Sequence, residues 1–309
     1  HSRVCGKSRH LNNAKPAYWM HLDSRDVASR LMTCHGQLSA PMTNPIYDVW
    51  ARNHFYYYSN VIDSQGPGTS LAFVGDQGEL VQMRVPQARS LTRQLLTLVT
   101  KQKLAFASIA ETTDRSVVEE MRIADAICED TVKDQTVDVR AEKMVEHGLV
   151  IGTGYIKNTW RTDRGSPFII GQDGQVVFEG DNEISIPFVS DVLFDYTQDE
   201  WDYNDWVEVR VKRNRYDLLA EFPELKNQIL SLPSCRSENT KSMFSGLSDD
   251  DNVYVYELYH KPTPALPKGR MMFYSNAQTV YLDGENLYGC IPVEQYKPEH
   301  INGIGFGYP

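Results

Sequence analysis

Residues 148–222 constrain the fold of this chain most. Within them, the pattern of apolar residues changes from strand-like alternation to helical spacing. The first part alternates with a period of two, which predicts a β-strand with Tyr155, Lys157 and Thr159 on one side and Ile156, Asn158 and Trp160 on the other. Turns are predicted at 163–165 and 173–174, because glycine supplies the positive φ that tight turns need. A third apolar strand is predicted from Ile184, Ile186, Phe188 and Val189.

The most regular alternation follows at residues 206–212. One face holds Val207, Val209 and Val211, and the other holds Glu208, Arg210 and Lys212. Helical spacing then begins at Asn214, a good N-cap residue, and Asp217 faces the helix N-terminus three residues later. Pro223 interrupts this helix, because proline breaks the hydrogen-bond ladder.

The amino-acid composition indicates which classes of protein this chain can belong to. Hydrophobic residues make up 41% of the chain, which indicates a globular protein. The net charge of −10 excludes a basic footprint over the whole chain, although a channel through which DNA slides needs none. No apolar run approaches the ~18 residues of a membrane span, so no membrane partner is expected. The five cysteines form no CxxC pair and are predicted to be free thiols: Cys5, Cys34, Cys128, Cys235 and Cys290.

Residues 86–147 are predicted to be helical, after a predicted hairpin at 71–85. Pro86 suits the first position of a helix. An apolar stripe at helical spacing follows at Leu91, Leu95, Leu98, Gln102, Ala105 and Ile109. The next helix is predicted to be capped by Thr113 or by Ser116, which forms a capping box with Glu119. A third helix is predicted over 139–148, ending at Gly148.

An acidic, aromatic bend at residues 191–205 is the strongest hint of enzymatic chemistry. Clustered carboxylates bind hard cations, and the metal candidates here are Asp195, Asp199 and Asp202. The spacing matches no D-x-D-x-D-G loop, and no His, Lys or Arg lies among these residues. A packed turn or an interface is therefore the favoured interpretation. A metal-dependent phosphodiesterase or nuclease is the alternative.

The end of the chain is predicted to be a second unit, after a linker of low hydrophobicity at 233–252. Residues 253–260 alternate as a strand, and a proline-stiffened loop follows. Further strands are predicted at 270–274 and 279–284, with turns at Asn276-Ala277 and Asp283-Gly284.

Three segments carry a resemblance to a known family. They are GTGYIKNTW at 152–160, IPFVSDVLFD at 186–195 and WDYNDWVEVRVKRNRYDLLAEFPEL at 201–225. Their order resembles that of the portal (head–tail connector) proteins of tailed bacteriophages. The resemblance implies an α+β fold with a wing domain of helices and antiparallel strands, the approach to a stem helix, and a small β-rich clip module.

The same resemblance implies a division into four parts. Residues 1–45 would be a peripheral arm and 46–213 the wing domain. Residues 214–252 would be a stem-type helix and linker, and 253–309 a clip-like β module. Gly303, Gly305, Gly307 and Pro309 would belong to the link toward a second stem helix, and the chain is expected to stop before that helix and the crown.

The function implied by the resemblance is structural, with no enzymatic activity and no cofactor. Portal subunits form a closed ring, a dodecamer, at one capsid vertex of the virion, after assembly in the host cytoplasm. Double-stranded DNA passes through the ring during packaging and ejection. The implied partners are the capsid protein, the large subunit of terminase, and head–tail adaptor or tail proteins. Another virion subunit, such as a capsid or adaptor protein, is a further alternative.

Two sets of contact residues follow from this comparison. Three basic residues of the clip would face an acidic partner or exiting DNA, although solvated loop charges are the simpler interpretation: Lys261, Lys268 and Arg270. Aromatic residues that suit a surface with one dry and one wet side are the candidates for the interface between subunits. They are Trp50, Tyr56, Tyr57, Tyr58, Trp201, Trp206, Tyr254 and Tyr256.

Overall fold

The computed structural model describes residues 18–38, 45–58, 87–101, 107–109, 112, 114–170, 176–235, 251–301 and 303–307. Helices and antiparallel sheets are both present, so the mixed α+β class is confirmed. The predicted hairpin at 71–85 lies outside the described residues.

Seven α-helices are described. They are α1 (Ser24–Leu38), α2 (Pro45–Tyr58), α3 (Gln87–Val99), α4 (Arg115–Asp134), α5 (Val137–Ile151), α6 (Arg215–Glu221) and α7 (Lys226–Ser231). Short 3-10 turns occur at Trp19–His21, Val189–Asp191, Trp201–Tyr203 and Pro223–Leu225. The strands are β1 (Gly154–Arg161), β2 (Pro167–Ile170), β3 (Val176–Phe178), β4 (Asp181–Ser185), β5 (Val192–Phe194), β6 (Trp206–Asn214), β7 (Asn252–His260), β8 (Arg270–Asn276), β9 (Thr279–Gly284), β10 (Val293–Tyr296), β11 (His300–Ile301) and β12 (Ile304–Gly307).

A five-stranded antiparallel sheet in the order β5-β6-β7-β8-β9 forms the centre of the fold. Strands β6 and β7 pair along their whole length, from Trp206 opposite His260 to Asn214 opposite Asn252. The predicted boundary between 214–252 and 253–309 therefore falls inside one sheet and does not separate two units. The hydrogen-bond ladder joins the predicted wing and clip directly.

A second sheet has the order β10-β1-β4. Its central strand β1 belongs to the predicted wing domain, and β10 comes from the predicted clip. The alternation predicted for β1 is confirmed, because Tyr155, Lys157 and Thr159 are buried while Asn158 and Trp160 are exposed. The strand β12 also reaches the core, where Phe306 is buried. In the predicted glycine link, Gly303 is a turn residue and Ile304–Gly307 is a strand packed on the body. Pro309 lies outside the described residues.

The described part of the N-terminal segment packs on the central sheet. Val27, Ala28 and Leu31 of α1 are buried in the same core cluster as Leu258 and Met272 of the central sheet. Helix α1 covers one face of that sheet. Its burial makes residues 18–38 a structural part of the fold, and the peripheral place of 1–45 in an assembly stays a prediction.

The described part of 214–252 holds two short helices and no long stem helix. Leu218 of α6 and Ile229 of α7 pack against Val253 and Val255 of β7 in a second, smaller core cluster. The predicted N-cap is confirmed, since the side chain of Asn214 accepts a hydrogen bond from the backbone N–H of Tyr216 at 2.8 Å. The break at Pro223 is confirmed as well.

Several element ends differ from prediction. The N-cap of α4 is Asp114, which has extended backbone angles, and Ser116 lies inside the helix. Thr113 lies outside the described residues. Helix α5 continues past Gly148 to Ile151 and ends at Gly152, whose φ of 98° is left-handed. Gly148 has a packing role instead, because a Cβ there would lie 2.5 Å from the ring of Tyr296.

The predicted apolar strand at 184–189 is divided in the structure. Ile184 belongs to β4, which ends at Ser185, and Val189 begins a 3-10 turn that leads into β5. Gly165 has the positive φ predicted for its turn, but β1 pairs with β4 and not with β2. Strands β2 and β3 pair as the predicted hairpin, whose turn lies outside the described residues.

We expect Gly154→Ala to lower the stability of the protein by about 1–3 kcal/mol, because the added methyl group would overlap the backbone oxygen of Met144. Gly36→Ala is the matched control. Position 36 lies in α1 with open space around a Cβ, so this change should raise stability by about 0.5–1 kcal/mol. Urea denaturation of the two variants measures both effects, and equal midpoints would contradict the packing.

Candidate functional site

Glu208 of β6 is completely buried, although its face of the strand is the polar one in the sequence. Its Oε1 accepts a hydrogen bond from His35 Nδ1 of α1 at 3.0 Å, and its Oε2 accepts one from the hydroxyl of Tyr274 of β8. Burial, and then the charge of Glu208, raise the pKa of Tyr274 well above its ordinary value. The tyrosine therefore stays a hydrogen-bond donor, and the carboxylate joins α1 to two strands.

His35 contacts Glu208 and Tyr256 in this network. Its ring lies edge-on to Tyr256 at 5.4 Å between centroids, and Tyr256 stacks on Tyr274. Because a carboxylate only accepts, Nδ1 of His35 carries the proton of the bond to Glu208. Its Nε2 is buried and has no hydrogen-bond partner in the described part of the chain. Sequence reasoning missed this cluster, because His35 and Glu208 are 173 positions apart and no local pattern connects them.

A second buried carboxylate, Glu257 of β7, lies on the opposite face of the central sheet. Lys157 of β1 donates to it, and the hydroxyl of Tyr259 donates at 2.8 Å. Burial acts to raise the pKa of Glu257, but the ammonium of Lys157 and its hydrogen bond outweigh that effect and hold the pKa below its ordinary value. The ion pair ties the second sheet to the first.

The acidic bend is fastened to the body by two lysines from the C-terminal part of the chain. Lys297 Nζ donates to the backbone oxygen of Asp199 at 2.6 Å, and Lys261 Nζ donates to that of Asp202 at 2.8 Å. The carboxylate of Asp195 accepts from the backbone and the hydroxyl of Thr197. Among the described residues, no group of three or more His, Cys, Asp or Glu side chains converges on one point.

Next to this bend, Tyr18 and His260 form a hydrogen-bonded pair. The hydroxyl of Tyr18 lies 2.7 Å from His260 Nε2, and His260 Nδ1 lies 2.6 Å from the backbone oxygen of Lys261. The carbonyl accepts, so Nδ1 is the protonated nitrogen and Nε2 accepts from Tyr18. Burial, followed by the charges of Asp205 and Asp195, raises the pKa of Tyr18 to about 12. The pair attaches the segment before α1 to β7.

The three basic candidates of the predicted clip differ in their surroundings. Arg270 makes a bidentate ion pair with Asp283 and also donates hydrogen bonds to the backbone oxygens of Met20 and Leu22. This side chain is mostly buried and serves the fold. Lys261 holds the acidic bend. Lys268 is exposed and pairs with Glu285 across the surface, so it alone of the three presents its ammonium group broadly to solvent.

Two of the aromatic interface candidates lie in the core. Trp50 is buried with its ring edge-on to Phe306 at 5.2 Å, and Tyr57 is buried with its hydroxyl donating to Glu146 at 2.6 Å. Neither presents a free surface to a neighbour. Tyr56 and Tyr58 belong to α2, but their side chains lie outside the described residues.

The other four candidates are half-buried within the body. Trp201 donates to the backbone oxygen of Val293 at 3.0 Å, and Trp206 packs edge-on against Trp19. Tyr256 is part of the Glu208 network, and Tyr254 lies beneath the guanidinium of Arg210 at 4.7 Å. Contacts between subunits at these positions stay a prediction.

A different set of apolar residues is exposed, on helices α3 and α4. Leu91, Leu95, Leu98 and Val99 of α3 are 61%, 52%, 69% and 53% exposed. On α4, Ile123 and Ile127 are 61% and 60% exposed. The predicted helical stripe is confirmed at Leu91, Leu95 and Leu98 as one face of α3, but that face points away from the core. Gln102 and Ala105 lie outside the described residues, and Ile109 is not helical.

Comparison with known proteins assigns no family: no family model matches the chain, and no curated protein matches it. Within the described ranges, none of the helices combines the length and the apolar character that crossing a lipid bilayer requires.

Removing one partner of the Lys157–Glu257 pair should leave a buried charge without its counter-ion. We expect Lys157→Met to cost about 3–5 kcal/mol of stability, and Lys157→Met/Glu257→Gln to recover most of that loss. The exposed pair Arg115–Glu119 is the control, and Arg115→Met should leave the denaturation midpoint unchanged. A double variant as unstable as Lys157→Met would show that the charge is not the cause.

His147 of α5 gives a pH-dependent prediction. Burial, and then the charge of Lys143, lower its pKa from 6.5 to about 4 in the folded state. The unfolded chain therefore binds a proton that the folded protein does not, so stability is complete above pH 6.5 and falls toward pH 4. One pKa unit corresponds to about 1.4 kcal/mol, which makes the loss about 3 kcal/mol. His147→Gln should remove this part of the acid sensitivity in urea denaturation at pH 4.5 and 7.5.

Proposed function

We propose that this protein is a subunit of a portal-type ring, a structural part of a virion through which double-stranded DNA is packaged and ejected. The order of the three segments at 152–160, 186–195 and 201–225 supports the proposal. So does the location of the helices before the glycine-flanked strand β1. The proposal includes assembly in the host cytoplasm and a final place at one vertex of the capsid.

The observation that carries the proposal is the distribution of exposed apolar side chains. Large apolar residues of α3 and α4 are exposed to solvent, while the central sheet buries the carboxylates of Glu208 and Glu257. Monomeric proteins rarely leave extended apolar patches uncovered, and such patches mark interaction sites. A subunit that acts only in an assembly has this property.

The buried ionisable groups also favour a structural role. Glu208, Glu257 and Arg270 each connect separate parts of the chain, and each is engaged by side chains or backbone of the described residues. Such contacts hold a body rigid. In the proposed ring, the terminase large subunit, adaptor or tail proteins and the capsid protein would contact its surfaces, and Lys268 is the most accessible basic candidate.

A metal-dependent phosphodiesterase is less well supported. In the acidic bend, the carboxylate of Asp195 is engaged by Thr197, and both lysines that reach the bend contact its backbone. A capsid or adaptor subunit would share the exposed helices, but would assemble with a different symmetry. Particle symmetry therefore separates the proposal from that alternative.

The test is the assembly state of the purified protein by mass photometry and negative-stain imaging. We expect a closed ring of about a dozen copies with a central channel, since identical head-to-tail contacts close into a ring. A protein that stays monomeric or dimeric at every concentration would contradict the proposal. The acidic bend would then be titrated with Mn²⁺, using Asp195→Asn as the control.

A further inference from the structure

Helix α2 contacts the body of the protein through three side chains of one helical face. Trp50, His54 and Tyr57 have the i, i+4, i+7 spacing of such a face. Trp50 is buried with its ring centre 5.2 Å from that of Phe306, and the hydroxyl of Tyr57 donates to Glu146 of α5 at 2.6 Å. A titratable imidazole therefore lies in the middle of an otherwise aromatic contact.

A second imidazole, that of His147 on α5, lies in the same contact. The rings of His54 and His147 are both edge-on to the ring of Phe188, with centroids 6.1 Å and 5.7 Å away and interplanar angles of 87° and 84°. Phe188 precedes the 3-10 turn that leads into β5. One phenyl ring thus contacts a histidine from each of two helices.

The surroundings of both imidazoles favour the neutral form. Burial lowers the pKa of His54. Burial, and then the charge of Lys143, lower the pKa of His147 to about 4, and the charge of Glu146 opposes them only in part. In the described part of the chain, Nδ1 of His147 is buried without a hydrogen-bond partner. A second proton on this ring would place a positive charge in a dry contact, which is unfavourable.

The other elements packed on α5 do not neutralise such a charge. Glu146 already accepts the hydrogen bond of Tyr57, and α3 adds a cation, since the guanidinium of Arg89 lies 5.9 Å from the ring centre of Tyr57. Strand β10 adds only the ring of Tyr296, which packs on α5. Helix α4 and strands β1 and β4 also touch α5, and none of their described charges acts on the pKa of His147.

We propose that α2 is an acid-released helix: protonation of His54 and His147 separates α2 from α5, while the central sheet stays folded. Two like charges would then lie in one contact, on the ring of Phe188, with the charge of Lys143 beside them. Release would uncover Phe188 and Phe306, which α2 contacts in the docked state. The device belongs to a single copy of the chain and does not depend on the proposed ring.

Acid favours the released state because that state binds protons more tightly. With α2 released, His147 returns toward its ordinary pKa of 6.5, whereas its pKa in the docked state is about 4. Docking is therefore complete above pH 6.5 and weakens as the pH falls toward 4. His147 alone makes the ratio of docked to released α2 about 70-fold smaller at pH 4.5 than at pH 7.5. His54 adds to this effect in the same direction.

Hydrogen–deuterium exchange of the intact chain, followed peptide by peptide with mass spectrometry, measures the release. After correction for the intrinsic exchange rate at each pH, the protection of α2 should fall about 70-fold or more between pH 7.5 and pH 4.5. The protection of β7 should change much less. His54→Gln/His147→Gln keeps two neutral side chains in the contact and should abolish most of the fall. His21→Gln, at an exposed position before α1, is the control and should leave the fall unchanged.

The variants distinguish a local release from other effects of acid. Equal losses of protection in α2 and β7 would show global unfolding and would overturn the proposal. So would a fall in α2 that persists in His54→Gln/His147→Gln, because other groups would then cause it. Loss of the fall in His21→Gln would show that the two histidines on Phe188 are not specific.

The unmodified protein supplies a second measurement that decides the question even if the double variant loses α2 protection at pH 7.5. The slope of the logarithm of α2 protection against pH counts the protons taken up on release. Between pH 5.5 and pH 4.5 it should be about one to two, for His147 together with His54. A slope near zero would contradict the release. A slope above about two would show that further groups take part, and would overturn the mechanism by two histidines.

Discussion

The fold depends on carboxylates buried on both faces of one sheet. Neighbouring residues of a strand point to opposite faces, so Glu208 faces α1, while Glu257, opposite Val209, faces β1. A buried carboxylate without partners costs several kcal/mol. His35 with Tyr274 and Lys157 with Tyr259 offset that cost only when α1 and β1 are both docked. The central sheet therefore requires both covering layers at once, which joins the N-terminal, middle and C-terminal segments into one body.

Local signals in the sequence predicted local structure well. The alternation at 206–212 is β6, Asn214 caps α6, and Pro223 ends that helix. Each of these features depends on residues within a few positions of one another. Burial of the Glu208 face was not predictable in the same way, because alternation shows which residues share a face but not what covers it. The covering residue, His35, lies in a segment with only a weak helical pattern.

The predicted domain boundary shows a related limit. Residues 233–252 are poor in apolar residues, which predicted a linker between two units. Strand β6, which comes before this segment and the two short helices α6 and α7, nevertheless pairs along its whole length with β7, which comes after it. A polar segment between two strands is equally compatible with a long connection within one sheet. Only the pairing register distinguishes the two cases. The same limit applies to β10, which completes the sheet of β1 from more than a hundred residues away.

Helix α3 shows at the surface of the molecule that a sequence pattern does not reveal what covers a face. Its period correctly predicted that Leu91, Leu95 and Leu98 share a face, and the ordinary assumption that an apolar face is buried in the same chain fails for it. A monomer leaves this face exposed to water, so burying it in a contact with another molecule would be favourable. A body made rigid by internal ion pairs can present that stripe in a fixed orientation, and a fixed orientation is what repeated identical contacts need to close into a ring. In the proposed assembly, the buried charges would keep the subunit rigid and the exposed apolar surface would form its contacts.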